Sequence, residues 1–293
     1  MSGIWIAGEA LIDLVPDVNG IVKGIVGGGP ANTARAVARL GLESFFIGGI
    51  SSDSYGKMIE DVLQQSGVLL DLVKFSNLPT ATAEVTLDSS GSAKYEFSID
   101  DTATFEFSSD WLPKGEPRVL HCGTLSALIE PGASELFEWA KQRRSTIVFD
   151  PNVRPSVLSD SLKYRRLMER WFQVSEVIKL SEDDFYWLYG DKEPSFLLDL
   201  GPKLIVLTHG AKGISAIMSG CEVSAPGYEV EVIDTVGAGD TVGAILLESI
   251  SKSGVNGLME DLPQVLNRAT KAAAITCSRA GAQPPTVAEL ADF

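Results

Sequence analysis

The sequence predicts an α/β protein with three layers, in which helices cover both faces of a mainly parallel central sheet and a small antiparallel β lid projects from it. Short apolar runs alternate with helical patterns through most of the chain, and repeated βαβ order implies a parallel sheet that is covered on both faces. Residues 74–107 instead alternate apolar and polar side chains around a Gly/Ser turn, which is typical of a hairpin with one solvated face. We expect a single domain over residues 1–293.

The N-terminal part of the chain supplies strands, two helices and the lid. Strands are predicted at residues 4–7, 9–15, 20–26 and 45–50. A helix that begins at Pro30 and ends before Gly41 has proline at its start and glycine just past its end, as many helices do. A second helix spans residues 53–66. Residues 10–26 and 74–107 together form the predicted lid, and an extension of the sheet edge is the alternative.

From residue 118 onward the chain alternates regularly between strands and helices. Strands are predicted at residues 119–122, 146–149, 177–180 and 204–207, and helices at residues 132–143, 161–174 and 182–189. Two further helices begin at Asp240 and near Pro263. Because the carboxyl ends of parallel strands meet at one edge of a sheet, we expect the functional side chains to gather at that edge.

The formal net charge of −15 argues against partners that require a basic surface. Nucleic acids and anionic membranes bind basic faces, so neither is an expected partner. No apolar run approaches the roughly 20 residues of a membrane span, and the N-terminus has the pattern of a strand rather than of a signal peptide. The three cysteines, Cys122, Cys221 and Cys277, form no CxxC pair and are expected to be buried thiols. We therefore expect a cytoplasmic protein.

The stretch D-T-V-G-A-G-D at residues 234–240 is the centre of the functional prediction. An apolar run at residues 230–233 precedes it and an apolar helical pattern follows, which indicates a strand, a turn and a helix. The small residues 237–239 would leave backbone amides free to bind an anion at the helix start. Asp240 beside them can stay ionised and accept a proton, and phosphoryl transfer to an alcohol requires this combination. A plain glycine turn with Asp240 as the helix N-cap is the alternative.

Other polar residues follow the predicted strands of the first half. Asp13 lies between two apolar residues, where a carboxylate needs hydrogen-bond donors such as sugar hydroxyls. The glycines at residues 27–29 bring the backbone close to a ligand, and Asn32 adds an amide at a helix N-terminus. Arg154, just after a buried strand, could neutralise phosphate. The alternatives are an outward strand residue, a bare turn and a surface ion pair.

The next two strand ends offer candidates for nucleotide and metal binding. Ser181 and Asp184 have the spacing of a capping box, yet an acid here could also anchor Mg²⁺ through water. Thr208 and the glycine-containing turn after it offer a hydroxyl and exposed amides for a nucleotide. His121 and His209 belong to no metal or triad pattern, so we interpret them as non-catalytic. Neither GxxxxGK[ST] nor a GxGxxG after the first strand is present, which disfavours P-loop enzymes and dinucleotide-dependent oxidoreductases.

Taken together, these residues resemble the ribokinase-like (PfkB) family of carbohydrate kinases over nearly the whole chain. The C-terminal signature of the family, D-T-x-G-A-G-D, is matched in full at residues 234–240. Its N-terminal signature, a glycine pair followed by asparagine and a helix ending in A-R-L-G, is matched between Gly27 and Gly41. The resemblance implies the ribokinase fold with a β lid, and ATP-dependent phosphorylation of a primary alcohol.

The resemblance also implies roles for individual residues. The implied catalytic residues are Asp240 as the base, Gly237, Ala238 and Gly239 as the anion hole, and Arg154 as a cation for phosphate. The sugar would be bound by Asp13, Gly27, Gly28 and Asn32. The nucleotide would be bound by Lys179, Ser181, Thr208, Gly210, Gly213 and Asn267.

Two metal ions follow from the same resemblance. The N-x-x-E motif of the family is Ser181-x-x-Asp184 here; serine resembles many fructokinases, whereas aspartate is one methylene shorter than glutamate. Asp184 would hold Mg²⁺ through water. A monovalent cation, K⁺, is expected beside the anion hole, mostly on backbone carbonyls, and the matching positions are Asp234, Val236, Thr276, Arg279 and Gly281.

Among family members, the chain looks most like the fructokinases. The runs G-E-A-L-I-D at residues 8–13 and D-P-N-x-R at residues 150–154 carry this likeness. Kinases of 2-keto-3-deoxygluconate share the second run, but Ile99 stands where they use arginine to bind an acid group, so a neutral sugar is favoured. Ribokinase and nucleoside kinase remain alternatives, and a non-catalytic sugar or nucleotide sensor is the alternative from another class. Pairing of lid edges between subunits would give a homodimer.

Overall fold

The computed structural model describes residues 3–16, 19–87 and 93–293, without the side chains of residues 85–87 and 93–95. Its strands are β1 (Ile4–Ala7), β2 (Leu11–Pro16), β3 (Val22–Gly27), β4 (Ser44–Ile47), β5 (Gly49–Ser51), β6 (Lys74–Ser76), β7 (Thr82–Leu87), β8 (Ala93–Ser98), β9 (Val119–Gly123), β10 (Thr146–Asp150), β11 (Val177–Ser181), β12 (Leu204–Thr208), β13 (Ile214–Met218) and β14 (Cys221–Ala225). Its α-helices are α1 (Gly29–Arg39), α2 (Ser54–Gln65), α3 (Gly132–Ala140), α4 (Ser161–Phe172), α5 (Glu182–Tyr189), α6 (Ala238–Glu260), α7 (Leu262–Cys277) and α8 (Val287–Asp292).

The central sheet has eight strands in the order β14-β13-β12-β11-β10-β9-β1-β4. The pairs from β4 to β12 are parallel, and β13 and β14 add an antiparallel edge that the sequence did not predict. One apolar core lies between the sheet and α1, α6 and α7, and a second lies between the sheet and α3, α4 and α5. The predicted three-layer α/β/α class is therefore confirmed.

A smaller sheet of four strands, β3-β2-β7-β8, stands beside the central one. Its outer pairs are antiparallel, as predicted, whereas β2 and β7 in its middle run parallel. The predicted Gly/Ser turn at residues 88–92 lies outside the described residues. Not all of the predicted lid enters this sheet, because β6 pairs with β5 instead. The alternation of apolar and polar residues thus predicted the hairpin, but not the parallel pairing of β2 with β7 or that of β5 with β6.

The predicted strand at residues 45–50 is wrong in one respect, because the chain breaks into β4 and β5 and changes sheets. The break falls at a glycine pair where the backbone of other elements approaches closely. A Cβ on Gly48 would lie 2.6 Å from the carbonyl oxygen of Gly8, and one on Gly49 would lie 1.7 Å from that of Ala103. Only residues without a side chain fit this crossing of segments.

Three smaller expectations also need correction. The run at residues 230–233 is a loop rather than a strand, because the amides of Ile233 and Asp234 donate to the carbonyl of Cys277 at the end of α7 instead of extending the sheet. Of the three cysteines only Cys122 is buried, since Cys221 is exposed at the edge and Cys277 is half-buried. A terminal helix, α8, follows the two predicted helices.

In the described part of the chain, no helix combines the length and apolar character needed to cross a bilayer.

Candidate active site

A cavity of about 420 Å³ lies at the carboxyl edge of the central sheet, where the functional side chains were expected to gather. Phe97 of the small sheet lines it as well, so both sheets border the same space. The sequence-predicted residues that line it are Asp13, Gly28, Asn32, Arg154, Lys179, Val236, Gly237, Gly239 and Asp240. Residues that are more than 200 positions apart in the chain therefore share one site.

Asp240 lies in the first turn of α6 and is 9% exposed. The N-cap of this helix is Gly237, whose φ of 80° is left-handed and suits glycine, so the alternative in which Asp240 caps the helix is wrong. A Cβ on Gly237 would also lie 2.7 Å from that of Ala282. The turn therefore requires glycine at its first position, and it directs the Asp240 carboxylate into the cavity.

The turn before Asp240 is the predicted anion hole, and the structure modifies this prediction. The amide of Ala238 donates to the carbonyl of Thr235 at 3.3 Å, so this donor already has a long hydrogen bond. Gly239 approaches a cation closely, because a Cβ on it would stand 2.8 Å from Nζ of Lys179. Lys179, which the family resemblance assigned to the nucleotide, thus lies under the turn and beside Asp240.

Lys179 is 5% exposed and donates to Oδ2 of Asp150 at 2.7 Å. Burial alone would lower its pKa, but the carboxylates of Asp150, Asp240 and Asp184 raise it overall, so Lys179 stays protonated. Burial raises the pKa of Asp240 to about 7 and Asp150 adds to this, whereas Lys179, a hydrogen bond from Asn32 and Arg154 lower it. Asp240 is thus balanced between its protonated and ionised forms near neutral pH, rather than held fully ionised as expected from the turn alone.

Asp13 and Arg154 both line the cavity, and their charges interact. Burial raises the pKa of Asp13 to about 6, and the charge of Arg154 opposes this effect. One terminal nitrogen of Arg154 donates to Oδ1 of Asn152 at 2.8 Å and to two backbone carbonyls, which orients the guanidinium. Gly27 makes room for the Asp13 carboxylate, since a Cβ there would stand 2.2 Å from Oδ2.

Several residues that line the cavity, among them Thr124 and Asn152, were given no role by sequence reasoning, whereas Gly29 belongs to the glycine run that was expected to approach a ligand. A Cβ on Gly29 would stand 2.7 Å from Oγ1 of Thr124, 2.9 Å from Nδ2 of Asn152 and 3.4 Å from Oδ1 of Asp240. Gly29, Thr124 and Asn152 all line the cavity. Asn152 belongs to the run at residues 150–154 that supplied Arg154, so closer attention to that run could have found it. Nothing in the pattern around Thr124 marks it.

Ser181 and Asp184 form the capping box that was the structural alternative for them. Oγ of Ser181 accepts from the amide of Asp184 at 3.0 Å, and Oδ2 of Asp184 accepts from the amide of Ser181 at 3.2 Å. Oδ1 of Asp184 accepts from the amide of Val153 at 2.9 Å. Burial raises the pKa of Asp184 and Asp150 adds to this. Among the described residues, no group of three His, Cys, Asp or Glu side chains has the arrangement of a metal site.

The other predicted nucleotide residues lie away from the cavity. Thr208 ends β12 in register with Ser181, at the same edge of the sheet. Gly210 and Gly213 follow in a single turn, with φ values of 57° and 112°. Asn267 lies on α7, where its Oδ1 accepts from the hydroxyl of Tyr228 at 3.1 Å. None of these four residues lines the cavity described above.

The predicted cation loop is held together by Asp234. Its Oδ1 accepts from the amide of Val236 at 3.0 Å, and its Oδ2 accepts from the amide of Gly281 at 2.8 Å. Thr276 is fully buried, and its hydroxyl pairs with that of Thr241. Arg279 forms an ion pair with Glu289 at 2.7 Å. The Asp234 carboxylate therefore connects the turn at residues 234–240, which contains the predicted anion hole, to the segment after α7.

Neither histidine lines the cavity. His121 is buried in β9, where burial lowers its pKa to about 3 and Lys179 adds to the effect, so its ring is neutral. Nε2 of His209 pairs with the hydroxyl of Ser215 at 2.9 Å. The interpretation of both as non-catalytic stays a prediction.

Comparisons with known proteins were made by sequence and by structure. The sequence model of the pfkB family carbohydrate kinases matches residues 1–289. A fructokinase of Klebsiella pneumoniae is 31% identical, over 96% of this chain and 95% of its own. A probable fructokinase-4 of Arabidopsis thaliana is 33% identical, over 97% of this chain and 94% of its own.

Two solved enzymes superpose closely on the whole chain. A fructokinase of Vibrio cholerae O395, bound to fructose, ADP and calcium ion, has a TM-score of 0.88 and 27% identity, covering 100% of this chain and 99% of its own. A double mutant of that enzyme was solved with fructose, ADP and potassium ion. An aminoimidazole riboside kinase of Salmonella enterica has a TM-score of 0.85 and 26% identity, covering 99% of this chain and 98% of its own.

The family match and these relatives agree with the geometry of the cavity, in which a buried carboxylate lies against a glycine turn at a helix start. The chain belongs to the pfkB family of carbohydrate kinases.

Proposed function

We propose that this protein is a fructokinase, which transfers the γ-phosphoryl group of ATP to the 6-hydroxyl of fructose. One observation carries the proposal: the Asp240 carboxylate, with a pKa of about 7, lines a cavity together with the Gly237 and Gly239 turn. A base is most effective when its pKa is near the working pH. The identity of 31–33% to relatives named fructokinase, over nearly the whole chain, supports fructose as the acceptor.

In the proposed mechanism Asp240 accepts the proton of the 6-hydroxyl while its oxygen attacks the γ-phosphorus in line. Positioning and charge stabilisation supply most of the catalysis in such transfers. Lys179 serves two purposes, because its ammonium favours the ionised form of Asp240 and lies under the turn that receives the phosphoryl oxygens. Arg154 adds a second positive charge on the sugar side, where Asp13, Gly27, Gly28 and Asn32 would bind the sugar.

Magnesium is the cofactor that the family implies, and Asp184 fits a hydrated ion that is held through water. Both oxygens of Asp184 accept backbone amides, and each has one lone pair left that can accept a hydrogen bond from a water. Mg²⁺ keeps several of its waters and is held by few carboxylates plus substrate phosphates. Asp184 would thus hold a hydrated Mg²⁺ through water, and the ion would supply charge neutralisation at the phosphates of ATP.

The nucleotide would lie along the edge of the sheet beyond the anion turn. We assign Ser181, Thr208, Gly210, Gly213 and Asn267 to this region. The first four end or follow β11 and β12, and the helix α7 that carries Asn267 packs against the neighbouring strands β13 and β14. Lys179 moves from this group to the phosphoryl-transfer centre, since it lines the cavity beside Asp240. ADP in the fructokinase of Vibrio cholerae supports a nucleotide on this fold.

The small sheet would act as a lid over one catalytic domain that spans the chain. Phe97 of β8 and Asp13 of β2 already line the cavity, so closure would exclude water from the transferring phosphoryl group and limit hydrolysis of ATP. Val22 and Ile25 of the outer strand β3 are 52% and 47% exposed. Such an apolar edge supports a homodimer through the lids in a cytoplasmic enzyme, and a purely monomeric sedimentation profile at micromolar concentration would refute that assembly.

A screen of sugar acceptors tests the proposed substrate. ADP release is measured with fructose, ribose, 2-keto-3-deoxygluconate, tagatose 6-phosphate, adenosine and aminoimidazole riboside, the last because of the similar structure from Salmonella enterica. Fructose should give the highest kcat/KM. A higher value for another acceptor would replace fructose, and no release with any acceptor would favour the sugar or nucleotide sensor.

Asp240→Asn tests the proposed base. The amide cannot take up the hydroxyl proton, so kcat should fall by roughly 10²–10⁴. Fructose and ATP should still bind, as titration calorimetry would measure. Asp183→Asn, an exposed acid at the start of α5, is the matched control and should keep full turnover. Near-normal kcat in Asp240→Asn would refute the assignment.

The pH dependence of kcat/KM for fructose tests the electrostatic role of Lys179. Activity should fall as the pH drops through about 7, because Asp240 becomes protonated. Lys179→Met removes a charge that lowers the pKa of Asp240. The acidic limb of the pH profile, in which activity falls as Asp240 is protonated, should therefore move to higher pH. Asp150→Asn removes a charge that raises the same pKa, so the limb should move to lower pH. Shifts in the same direction would contradict the model of the site.

A potassium dependence is expected from the loop that Asp234 holds. The loop at residues 234–237 and the segment at residues 276–281 would supply the carbonyl ligands of Asp234, Val236, Thr276, Arg279 and Gly281, next to the anion turn. ADP release should be several-fold faster in a potassium salt than in a choline salt of equal ionic strength. Equal rates would rule out activation by a monovalent cation.

A further inference from the structure

Glu9 is a buried carboxylate in the wall of the active-site cavity that the mechanism above does not use. It follows β1 at the edge of the sheet and is 1% exposed. Its Oε2 accepts two hydrogen bonds from Ser126, from the amide at 3.1 Å and from the hydroxyl at 2.7 Å. Its Oε1 is buried and has no partner among the described residues. A buried acceptor in this state calls for an explanation.

The partner of Glu9 lies in a strained turn. Ser126 belongs to the single 3₁₀ turn Thr124–Ala127 that follows β9. Thr124 has a φ of 58°, which is the left-handed region, and a β-branched residue adopts it only where its surroundings impose it. The two hydrogen bonds from Ser126 to Glu9 anchor the backbone two residues beyond Thr124. They are therefore placed to hold this conformation.

The conformation of Thr124 decides what its hydroxyl faces. Oγ1 of Thr124 accepts from Nδ2 of Asn152 at 3.4 Å. The same hydroxyl and Oδ1 of Asp240 both lie within 3.4 Å of the point where a Cβ on Gly29 would stand. Thr124 is thus directed into the space beside the catalytic base, and Leu125 lines the cavity next to it.

We propose that Glu9 is a positioning residue for the acceptor sugar, because its carboxylate holds Ser126 and so keeps the Thr124 hydroxyl directed at the sugar beside Asp240. The inference rests on the proposed function, since it concerns the same sugar site. Glu9 itself acts through the protein rather than on the substrate, because its carboxylate is covered. The nucleotide residues lie elsewhere on the sheet edge, so the effect of Glu9 falls on the sugar alone.

The test compares Glu9→Ala with Glu9→Gln. The amide oxygen of glutamine can accept both hydrogen bonds from Ser126, whereas alanine can accept neither. Glu9→Ala should raise the KM for fructose by roughly tenfold or more, the effect of losing two buried hydrogen bonds. Its KM for ATP should stay within about twofold of the wild-type value if only the part of the cavity that binds the sugar is disturbed. Glu9→Gln should have the KM for fructose of the wild-type enzyme.

A double-mutant cycle tests whether Glu9 acts through Thr124. If it does, adding Glu9→Ala to Thr124→Ala should change the KM for fructose much less than Glu9→Ala does alone. Independent effects in the cycle would overturn the proposal, as would equal rises in both KM values. Should Glu9→Ala not fold, Ser126→Ala replaces it in the same cycle, and a fructose KM unchanged by Ser126→Ala would likewise overturn the proposal.

The wild-type enzyme separates this inference from the proposed function. If it phosphorylates another sugar instead of fructose, fructokinase activity is refuted, and the KM measurements are repeated with that sugar. If it phosphorylates fructose and Glu9→Ala leaves its KM unchanged, only the role of Glu9 is refuted.

Discussion

The site depends on one buried ammonium among three carboxylates, of which Asp150 and Asp240 are buried and Asp184 is half-buried. Asp150, Asp184 and Asp240 all come from different elements, and Lys179 interacts with each of them. Removing one partner from such a cluster leaves an uncompensated buried charge, which is strongly destabilising. The ends of β10 and β11 and the starts of α5 and α6 are therefore tied together by charge as well as by packing. In the proposed function, an acidic protein would in this way place its phosphoryl-transfer centre beside a local cation.

In the proposed reaction, burial would have opposite consequences for the phosphoryl group and for the base. A cavity that excludes water protects the phosphoryl group from hydrolysis, but it also favours the protonated form of Asp240, which cannot act as a base. Lys179, Asn32 and Arg154 each oppose the effect of burial on the pKa of Asp240. The value of about 7 is the result of this opposition, and it leaves a useful fraction of the carboxylate ionised at neutral pH.

Much of the fold and part of the site were predictable because they depend on short-range patterns. The helix that follows the residue 234–240 motif, the capping box of Ser181 and Asp184, and the hairpin of the small sheet all depend on neighbours in the sequence. The break at Gly48 and Gly49 was not predictable, since it is imposed by backbone from Gly8 and Ala103. The position of Lys179 under Gly239 has the same cause, a contact between residues 60 positions apart. Contacts of this kind exist only once the sheet has formed.

The capping box also shows why a structural role does not exclude a functional one. Each carboxylate oxygen of Asp184 accepts one hydrogen bond from a backbone amide: Oδ1 from that of Val153 and Oδ2 from that of Ser181. These bonds fix the carboxylate at the end of β11, close enough to Asp150 for their charges to interact. A carboxylate held so rigidly keeps the same geometry for any water that its remaining lone pairs accept. In the proposed function, such a water would hold Mg²⁺, so the shorter side chain of Asp184, compared with the glutamate of the family motif, would still serve the ion.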